Sequence, residues 1–161
     1  MPRKRSKYNV SADKAERTHE GITFDSKMEM QFYKDIVLPN YQNGNIKTFE
    51  LQKPYILQPR FMKDGKYISA IKYVTDFYIV DKDNNEFIID IKGMADAISK
   101  LKRKMMWYKY PEAEYLWLTY CKKYGGWIEY EKLQKIRRDN KKKKDEHRKV
   151  RKEEKTDGKE N

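Results

Sequence analysis

Two charged residues, Asp90 and Lys92, interrupt an otherwise apolar and β-rich run of the sequence, "EFIIDIKG" at residues 86–93. They are two positions apart, so in a strand, where side chains alternate between faces, both lie on one face. A carboxylate can ligate a hard metal cation, and an ammonium beside it can reach whatever the metal holds. The spacing indicates a metal site, and an ordinary exposed salt bridge, worth roughly 0 to 1 kcal/mol, is the alternative.

A second carboxylate, Asp76, lies in the preceding β-rich run, "AIKYVTDFYIV". The polar connector "DKDNN" between the runs predicts a hairpin, whose simplest register pairs Val80 with Glu86. In that register Asp76 is directly opposite Asp90 with Cβ atoms about 5 Å apart, where like charges repel unless a cation binds them. A register slip of one residue would place Asp76 on the opposite face and dissolve the pair.

A third acid, Glu29, belongs to a helix predicted in "FDSKMEMQFYKDIVLPN", which we expect Pro39 and Asn40 to end. Glu29 falls at the centre of the apolar stripe and so points toward the sheet, where an isolated acid would be costly. The stripe consists of Met28, Phe32, Tyr33, Ile36 and Val37. The alternative is local, because Ser26 and Glu29 fit a capping box. The acid pair on the hairpin favours the site interpretation.

The neighbouring segments predict the elements that position these residues. "KTFELQKPYILQPRF" contains short extended pieces, broken by Pro54 and Pro59, which suit the edge of a sheet, and "DGK" at 64–66 is a turn signal. "YLWLTY" predicts another strand, "YGGW" a turn, and "WIEY" a short strand or the lead into a last helix. This order of elements predicts an α/β fold with a central mixed sheet flanked by helices.

The chain is strongly basic, with 37 Lys and Arg against 25 Asp and Glu in 161 residues and a formal net charge of +12. A polyanionic partner is expected, most commonly nucleic acid, although a merely soluble basic surface would have the same composition. Basic residues concentrate at both ends. We therefore expect a basic N-terminal arm at 1–20, a compact domain at 21–131, and a basic, partly helical or disordered tail at 132–161.

Composition also limits the kind of metal and the compartment. Cys121 is the only cysteine, and His19 and His147 are the only histidines, so no zinc-binding cluster can be written and oxygen ligands must hold any metal. No apolar run approaches the roughly twenty residues that span a bilayer, and the N-terminus lacks the apolar core of a signal peptide. We expect a soluble, intracellular protein with no membrane partner.

A helix is predicted after the motif, because apolar residues recur at helical spacing until Pro111. We expect this stripe to face the core; it consists of Met94, Ile98, Leu101, Met105 and Tyr108. Four basic residues of the same helix are candidates for phosphate contacts, with a solvated helix face as the alternative: Lys100, Lys102, Arg103 and Lys104. Four aromatic residues are expected in the core rather than as base-stacking platforms: Trp107, Tyr110, Trp117 and Trp127.

The same motifs resemble those of a known superfamily. "TDF" at 75–77 and "DIK" at 90–92, with a glutamate on a preceding helix, are similar to the active-site pattern of PD-(D/E)XK nucleases. Up to about residue 145, the blocks "FDSKMEMQFY", "ELQKPY", "YVTDFYIVDKDN", "IDIKG" and "LKRKMMWYKYPE" resemble a phage-encoded domain-of-unknown-function family of that superfamily. Thr75 stands where the superfamily pattern has proline, but that proline is not a metal ligand.

The resemblance implies a restriction-endonuclease-like fold and assigns roles to five positions. Asp76, Asp90 and the backbone carbonyl of Ile91 would coordinate Mg²⁺ or Mn²⁺, and Glu29 would complete or widen the site. Lys92 would orient or help deprotonate the attacking water and stabilise the charge that develops in the transition state. The chemistry is consistent, since a bound metal lowers the pKa of water and neutralises the scissile phosphate.

The resemblance also implies a DNA endonuclease. Small basic phage members of the superfamily resemble Holliday-junction resolvases, so branched DNA is the expected substrate, and paired cuts imply a homodimer. The expected location is the cytoplasm of a bacterial host cell. Two alternatives stay open: a non-catalytic DNA-binding accessory protein on a nuclease-like fold, and a nuclease that acts as one subunit of a larger complex.

Overall fold

The structure, a computed structural model, describes residues 13–157. Most of the arm expected at 1–20 and the last residues of the tail therefore lie outside the described residues. The strands are β1 (Thr18–His19), β2 (Ile22–Thr23), β3 (Ile46–Gln58), β4 (Phe61–Lys63), β5 (Lys66–Ile68), β6 (Ile71–Asp81), β7 (Glu86–Ile91), β8 (Glu114–Cys121) and β9 (Gly126–Glu129). The α-helices are α1 (Lys27–Phe32), α2 (Leu38–Gln42), α3 (Ala97–Lys109) and α4 (Tyr130–Asp157).

The central sheet has five strands in the order β3-β6-β7-β8-β9. Strands β7 and β8 are parallel, and the other neighbouring pairs are antiparallel. A parallel pair requires a crossover connection, which α3 provides between β7 and β8. The predicted α/β fold with a mixed central sheet is confirmed.

The hairpin of β6 and β7 has the predicted register. Val80 pairs with Glu86, and the regular pairing continues to Phe77 and Ile89. The polar connector fixes this register, because the Asp81 carboxylate accepts hydrogen bonds from the backbone N–H groups of Asp83 and Asn85. The one-residue slip is thereby excluded.

The edge position of β3 is confirmed, as is the predicted break at Pro59, but the predicted break at Pro54 is wrong. Residues Ile46–Gln58 form one strand that continues through Pro54, which pairs with Val74 of β6. An edge strand has a neighbour on one side only, so it tolerates a residue without an N–H donor. The "DGK" turn joins β4 and β5 into a two-stranded ribbon, with Asp64 and Gly65 both at positive φ.

Pro39 does not end the first helix, contrary to the sequence prediction. The helix passes from α1 through a π-helical turn at Tyr33–Val37 into α2, and Pro39 lies in the first turn of α2. A proline is tolerated there because the widened turn relaxes the demand for its missing N–H. The Asn40 side chain donates to the Ile36 carbonyl at 2.7 Å and satisfies a group that the irregular turn exposes.

The predicted orientation of α3 is wrong. Of its apolar stripe only Met105 packs against the core, and Tyr108 is 91% exposed, whereas Arg103 and Met106 of the helix are buried. A second stripe at the same spacing, Ser99, Arg103, Met106 and Tyr110, lies on the other side of the helix. An ion pair with Glu131 of α4 lets Arg103 occupy the buried side, so the less apolar stripe faces inward.

Two clusters of buried side chains hold the layers together. The first packs the helix at 27–42 against the sheet through Phe32, Tyr33, Val37, Phe77 and Ile79, together with other residues. The second packs α3 against the sheet through Leu57, Tyr73, Ile88, Met106 and Trp117, together with others. Trp117 is buried as predicted, but Trp107 is 48% exposed. Leu133 at the start of α4 is also buried, so the basic tail begins as part of the packed structure.

Within residues 13–157, no helix combines the length and the apolar composition needed to cross a bilayer. The longest of them, α4, has 28 residues and consists largely of charged side chains.

Candidate active site

Three elements bring the candidate residues together where β7 ends. Asp90 is the penultimate residue of β7 and is 1% exposed, and Lys92 follows the strand directly. Asp76 lies in the middle of β6, the neighbouring strand. Glu29 is buried in the first turn of α1, which contacts β7. The structure thus brings all four predicted site residues into one region of the molecule.

The Asp90 carboxylate is held by three donors. The Lys92 ammonium is 2.6 Å from Oδ2 of Asp90, so the two residues lie on one face as predicted. The hydroxyl of Tyr73 donates a short hydrogen bond to the same oxygen, and that of Tyr115 donates at 3.4 Å. Trp117 in turn donates its indole N–H to the Tyr115 hydroxyl at 2.7 Å. The other oxygen of Asp90, Oδ1, is thereby left as the one that a cation would bind.

Tyr73 and Tyr115 are two residues of the site that the sequence motifs did not predict. Burial raises the pKa of both phenols, as does the charge of Asp90, so both hydroxyls stay protonated and able to donate. Tyr73 could have been identified from the sequence, because it lies three residues from Asp76 and a buried tyrosine hydroxyl usually needs a hydrogen-bond partner. Tyr115 lies on β8, and its contact with Asp90 depends on the parallel pairing of β7 with β8, which the hairpin pattern does not reveal.

Asp76 lies where regular pairing between β6 and β7 stops. Instead of a backbone pair with Asp90, its carboxylate Oδ2 accepts a hydrogen bond from the Ile91 N–H at 2.7 Å. Across β6 on the other side, Gln52 of β3 has a φ of 54°, a left-handed conformation within a strand. Both neighbours of β6 therefore depart from regular strand geometry beside Asp76: β7 by the end of its pairing, and β3 by the conformation of Gln52. This irregularity lets the Asp76 carboxylate enter the space between β6 and β7.

The structure confirms that Glu29 forms a capping box with Ser26, and it places the same side chain near the two candidate aspartates. Ser26 donates to Oε1 of Glu29 at 2.7 Å, the Asp25 N–H donates to Oε2 at 3.2 Å, and the Glu29 N–H donates to the Ser26 hydroxyl at 3.1 Å. Glu29 therefore helps to cap the helix. It is also buried and close enough to Asp76 and Asp90 for their charges to interact.

Burial and mutual repulsion disfavour the charged forms of these acids. Burial, followed by the charges of Asp90 and Glu29, raises the pKa of the Asp76 carboxyl to about 9, against the opposing effects of the Ile91 N–H and Lys92. Burial is also the largest cause of the raised pKa of Glu29, to which the charges of Asp25 and Asp90 contribute. A divalent cation would relieve this repulsion and favour the ionised forms.

The donor chemistry fits a hard cation such as Mg²⁺ or Mn²⁺, because the site offers carboxylate oxygens. Among residues 13–157, no group of three or more acidic, histidine or cysteine side chains is arranged to hold a metal. The cap of α1 explains why Glu29 does not serve as a third acidic ligand, since both of its oxygens already accept hydrogen bonds at the start of the helix. Asp76 and Asp90, with the Ile91 carbonyl beside them, are the groups that would hold the ion.

The four predicted phosphate contacts on α3 are not equivalent. Lys100 and Lys104 are exposed, and Lys102 donates to the Lys72 carbonyl of β6 at 2.9 Å. Arg103 is buried, forms an ion pair with Glu131, and lies 4.2 Å from the centre of the Trp117 ring. These contacts give Arg103 a packing position between α4 and the sheet, which the exposed lysines of α3 do not have.

Comparisons with known proteins place the chain in a family. A comparison with curated proteins finds no match. Residues 5–126 match the family described as "Protein of unknown function (DUF1064)", and this range covers the whole of the sheet strands β1 to β8 and every candidate site residue. The chain therefore belongs to the DUF1064 family.

Proposed function

We propose that this protein is a metal-dependent DNA endonuclease of the PD-(D/E)XK superfamily, with a restriction-endonuclease-like fold, that hydrolyses phosphodiester bonds. The observation that carries the proposal is the buried contact between Asp90 and Lys92 at the end of β7, beside the Asp76 carboxylate. Structural ion pairs rarely place a third, repelling acid next to the pair. A site that binds a cation and a phosphate accounts for all three charges.

The proposed roles follow from the contacts of each side chain. Asp76, Asp90 and the Ile91 carbonyl hold the cation, and a bound Mg²⁺ or Mn²⁺ supplies an acidified water and neutralises the scissile phosphate. Tyr73 and Tyr115 fix the Asp90 carboxylate by hydrogen bonds to Oδ2. The Lys92 side chain is 19% exposed, so its ammonium can reach a substrate phosphate, orient the attacking water and stabilise developing negative charge.

The proposed substrate is DNA, because the chain carries a formal net charge of +12 and exposed lysines on α3 and α4. Branched DNA is the favoured form, by resemblance to Holliday-junction resolvases, whose paired cuts would require a homodimer. The reaction would then take place in the cytoplasm of a bacterial host, during recombination or replication of phage DNA.

A cleavage assay tests the nuclease proposal. Four-way junction, flap, linear duplex and single-stranded DNA are incubated with the protein in Mg²⁺, Mn²⁺ or EDTA. We expect cleavage that requires metal and that disappears in Asp90→Ala while DNA binding persists. Asp83→Ala, which removes an exposed carboxylate in the connector of the same hairpin, is the matched control and should cleave as the wild type does. Equal cleavage by Asp90→Ala would refute the assigned site.

A second candidate function is a DNA-binding accessory protein without catalytic activity, acting alone or as a subunit of a larger complex. The observation that favours it is that Asp90 Oδ2 and both oxygens of Glu29 already have donors within the described chain. Such a protein would bind DNA without cleaving any of the four substrates. Its binding would also be the same in Mg²⁺ and in EDTA at equal ionic strength.

A further inference from the structure

The ribbon of β4 and β5 is exposed to solvent along its whole length. Every residue from 59 to 69 is exposed, including large apolar side chains such as Met62, which is 56% exposed, and Tyr67, which is 64% exposed. An isolated two-stranded ribbon is marginally stable in water, and large exposed apolar side chains are costly unless they serve binding. These features indicate that the ribbon contacts a partner.

The ribbon combines apolar and basic groups on each face. Met62 and Tyr67 are directly opposite one another, so they share a face, and Arg60 lies 3.8 Å from the centre of the Tyr67 ring. Phe61 and Ile68 form the corresponding pair on the other face. Lys63 and Lys66 flank the turn at the tip. A basic tip with apolar flanks suits a partner that offers phosphates beside apolar sugars and bases.

Charge along the β3–β6 hairpin is strongly asymmetric. Residues 53–75, which contain the ribbon, include five basic residues and one acidic residue. At the opposite end, the connector at 81–86 carries three acidic residues, Asp81, Asp83 and Glu86, against Lys82 alone. A polyanion is therefore attracted to the ribbon end of the hairpin and repelled from the connector end.

An open sheet face joins the ribbon to the candidate site. Lys72 and Val74 are exposed on one face of β6, and their partners on β3, Ile56 and Pro54, are exposed beside them. Asp76 follows two residues after Val74, with its carboxylate between β6 and β7. The opposite face of this segment is covered by α3, through the cluster that contains Tyr73 and Met106. Five residues of strand separate the start of β6 from Asp76, a length of about 17 Å, or about five base steps of duplex DNA.

We propose that the β4–β5 ribbon and the open face of β3 and β6 bind duplex DNA, with the ribbon in a groove about five base steps from the cleavage site. A DNA groove accommodates a two-stranded ribbon, whose apolar side chains contact sugars and base edges while lysines contact the flanking phosphates. This surface is separate from the exposed lysines of α3. The inference rests on the proposed function for its substrate class, but DNA binding tests it independently of cleavage.

Two double variants with the same charge change test the role of the ribbon. Lys63→Glu with Lys66→Glu reverses both lysines at the tip, and Lys47→Glu with Lys82→Glu reverses two exposed lysines at the opposite end of the hairpin. Binding to a labelled linear duplex is measured in EDTA over a range of salt concentrations. We expect the tip variant to bind about tenfold more weakly and to lose roughly two units of the salt slope, while the control stays near the wild type.

A third variant, Met62→Ser with Tyr67→Ser, leaves the charge unchanged and tests the apolar contacts. We expect weaker binding with an unchanged salt slope, and we expect a photoreactive residue at position 62 to crosslink to DNA about five base steps from the cut. Equal binding by the wild type and both ribbon variants overturns the inference. A change in sedimentation mass with unchanged DNA binding also overturns it, because the ribbon is then an interface between copies of the chain. Ribbon-dependent binding without cleavage supports the inference and refutes only the nuclease proposal.

Discussion

At the residue scale, the environment of Asp90 distinguishes a positioned carboxylate from an ordinary charge in a strand. Oδ2 accepts hydrogen bonds from the buried hydroxyls of Tyr73 and Tyr115 and pairs with the ammonium of Lys92, whose side chain is 19% exposed. The sequence predicted the contact with Lys92 from strand alternation alone. It could not predict the two tyrosines together, because their convergence depends on strand order.

Tyr73→Phe should impair the site more than it impairs the fold. The variant keeps the ring in the core and removes one donor to Asp90, which leaves the carboxylate held by Tyr115 and Lys92. We expect a loss of stability of about 1 kcal/mol, measured by urea unfolding, and a fall of about tenfold in Mg²⁺-dependent cleavage. Tyr41→Phe, at an exposed tyrosine, is the control, and equal cleavage by the two variants would show that the hydroxyl does not position Asp90.

The raised pKa of Asp76 predicts a pH dependence of stability. Its pKa is about 9 in the folded protein and near 3.8 when unfolded, so the unfolded state releases this proton first. The contribution of Asp76 to the free energy of unfolding is therefore largest below about pH 4, and it is lost as the pH rises toward 9. We expect Asp76→Asn to unfold at higher urea concentrations than the wild type at pH 8, with the difference shrinking at pH 5. Saturating Mg²⁺ should reduce the difference at pH 8, and no pH dependence of the difference would contradict the burial of a repelled carboxyl.

At the scale of elements, the hairpin and the sheet could be predicted from the sequence, whereas the orientation of α3 could not. Turn chemistry and strand alternation act locally, so they fixed the register at Val80 and Glu86. Two stripes with helical spacing compete on α3, and the choice between them depends on Glu131, which is distant in sequence. The predicted end of the first helix at Pro39 was wrong because a π-helical turn precedes this proline and lets the helix continue.

The ion pair between Arg103 and Glu131 should be structural rather than functional. Glu131→Ala removes the half-exposed partner of a buried guanidinium, so we expect a loss of about 1 to 2 kcal/mol in the free energy of unfolding. Arg103→Met replaces the side chain with an apolar one of similar length and should change stability by less than about 1.5 kcal/mol. Duplex binding by Arg103→Met should keep the wild-type salt slope. A slope reduced by about one would restore Arg103 as a phosphate contact.

At the scale of the whole molecule, the candidate site and the C-terminal concentration of basic residues lie in different parts of the chain. The candidate site lies at the end of β7 beside α1, while α4 is a helix of about 42 Å that carries most of the C-terminal basic residues. The composition predicts a polyanionic partner, but it does not show which surface such a partner would contact. The exposed ribbon and the open face of β6 are features of the folded arrangement, since the same residues could equally have been covered by another layer.

Truncation after Asn140 should separate DNA affinity from folding. The part of α4 that packs against the core, including Leu133, is retained, so thermal stability should stay within about 0.5 kcal/mol of the wild type. Loss of the following lysines and arginines should weaken duplex binding and lower the salt slope, as measured by fluorescence anisotropy. Unchanged affinity would assign the tail to solubility alone.

The most direct test of the nuclease proposal is cleavage of DNA by Lys92→Met, compared with Lys82→Met as a control in the hairpin connector. The variant keeps Asp76 and Asp90 and removes the ammonium proposed to act on water and phosphate. We predict retained DNA binding and retained stabilisation by Mg²⁺, with cleavage at least about a hundredfold slower, while Lys82→Met cleaves normally. Cleavage by Lys92→Met at the wild-type rate would contradict the proposed site.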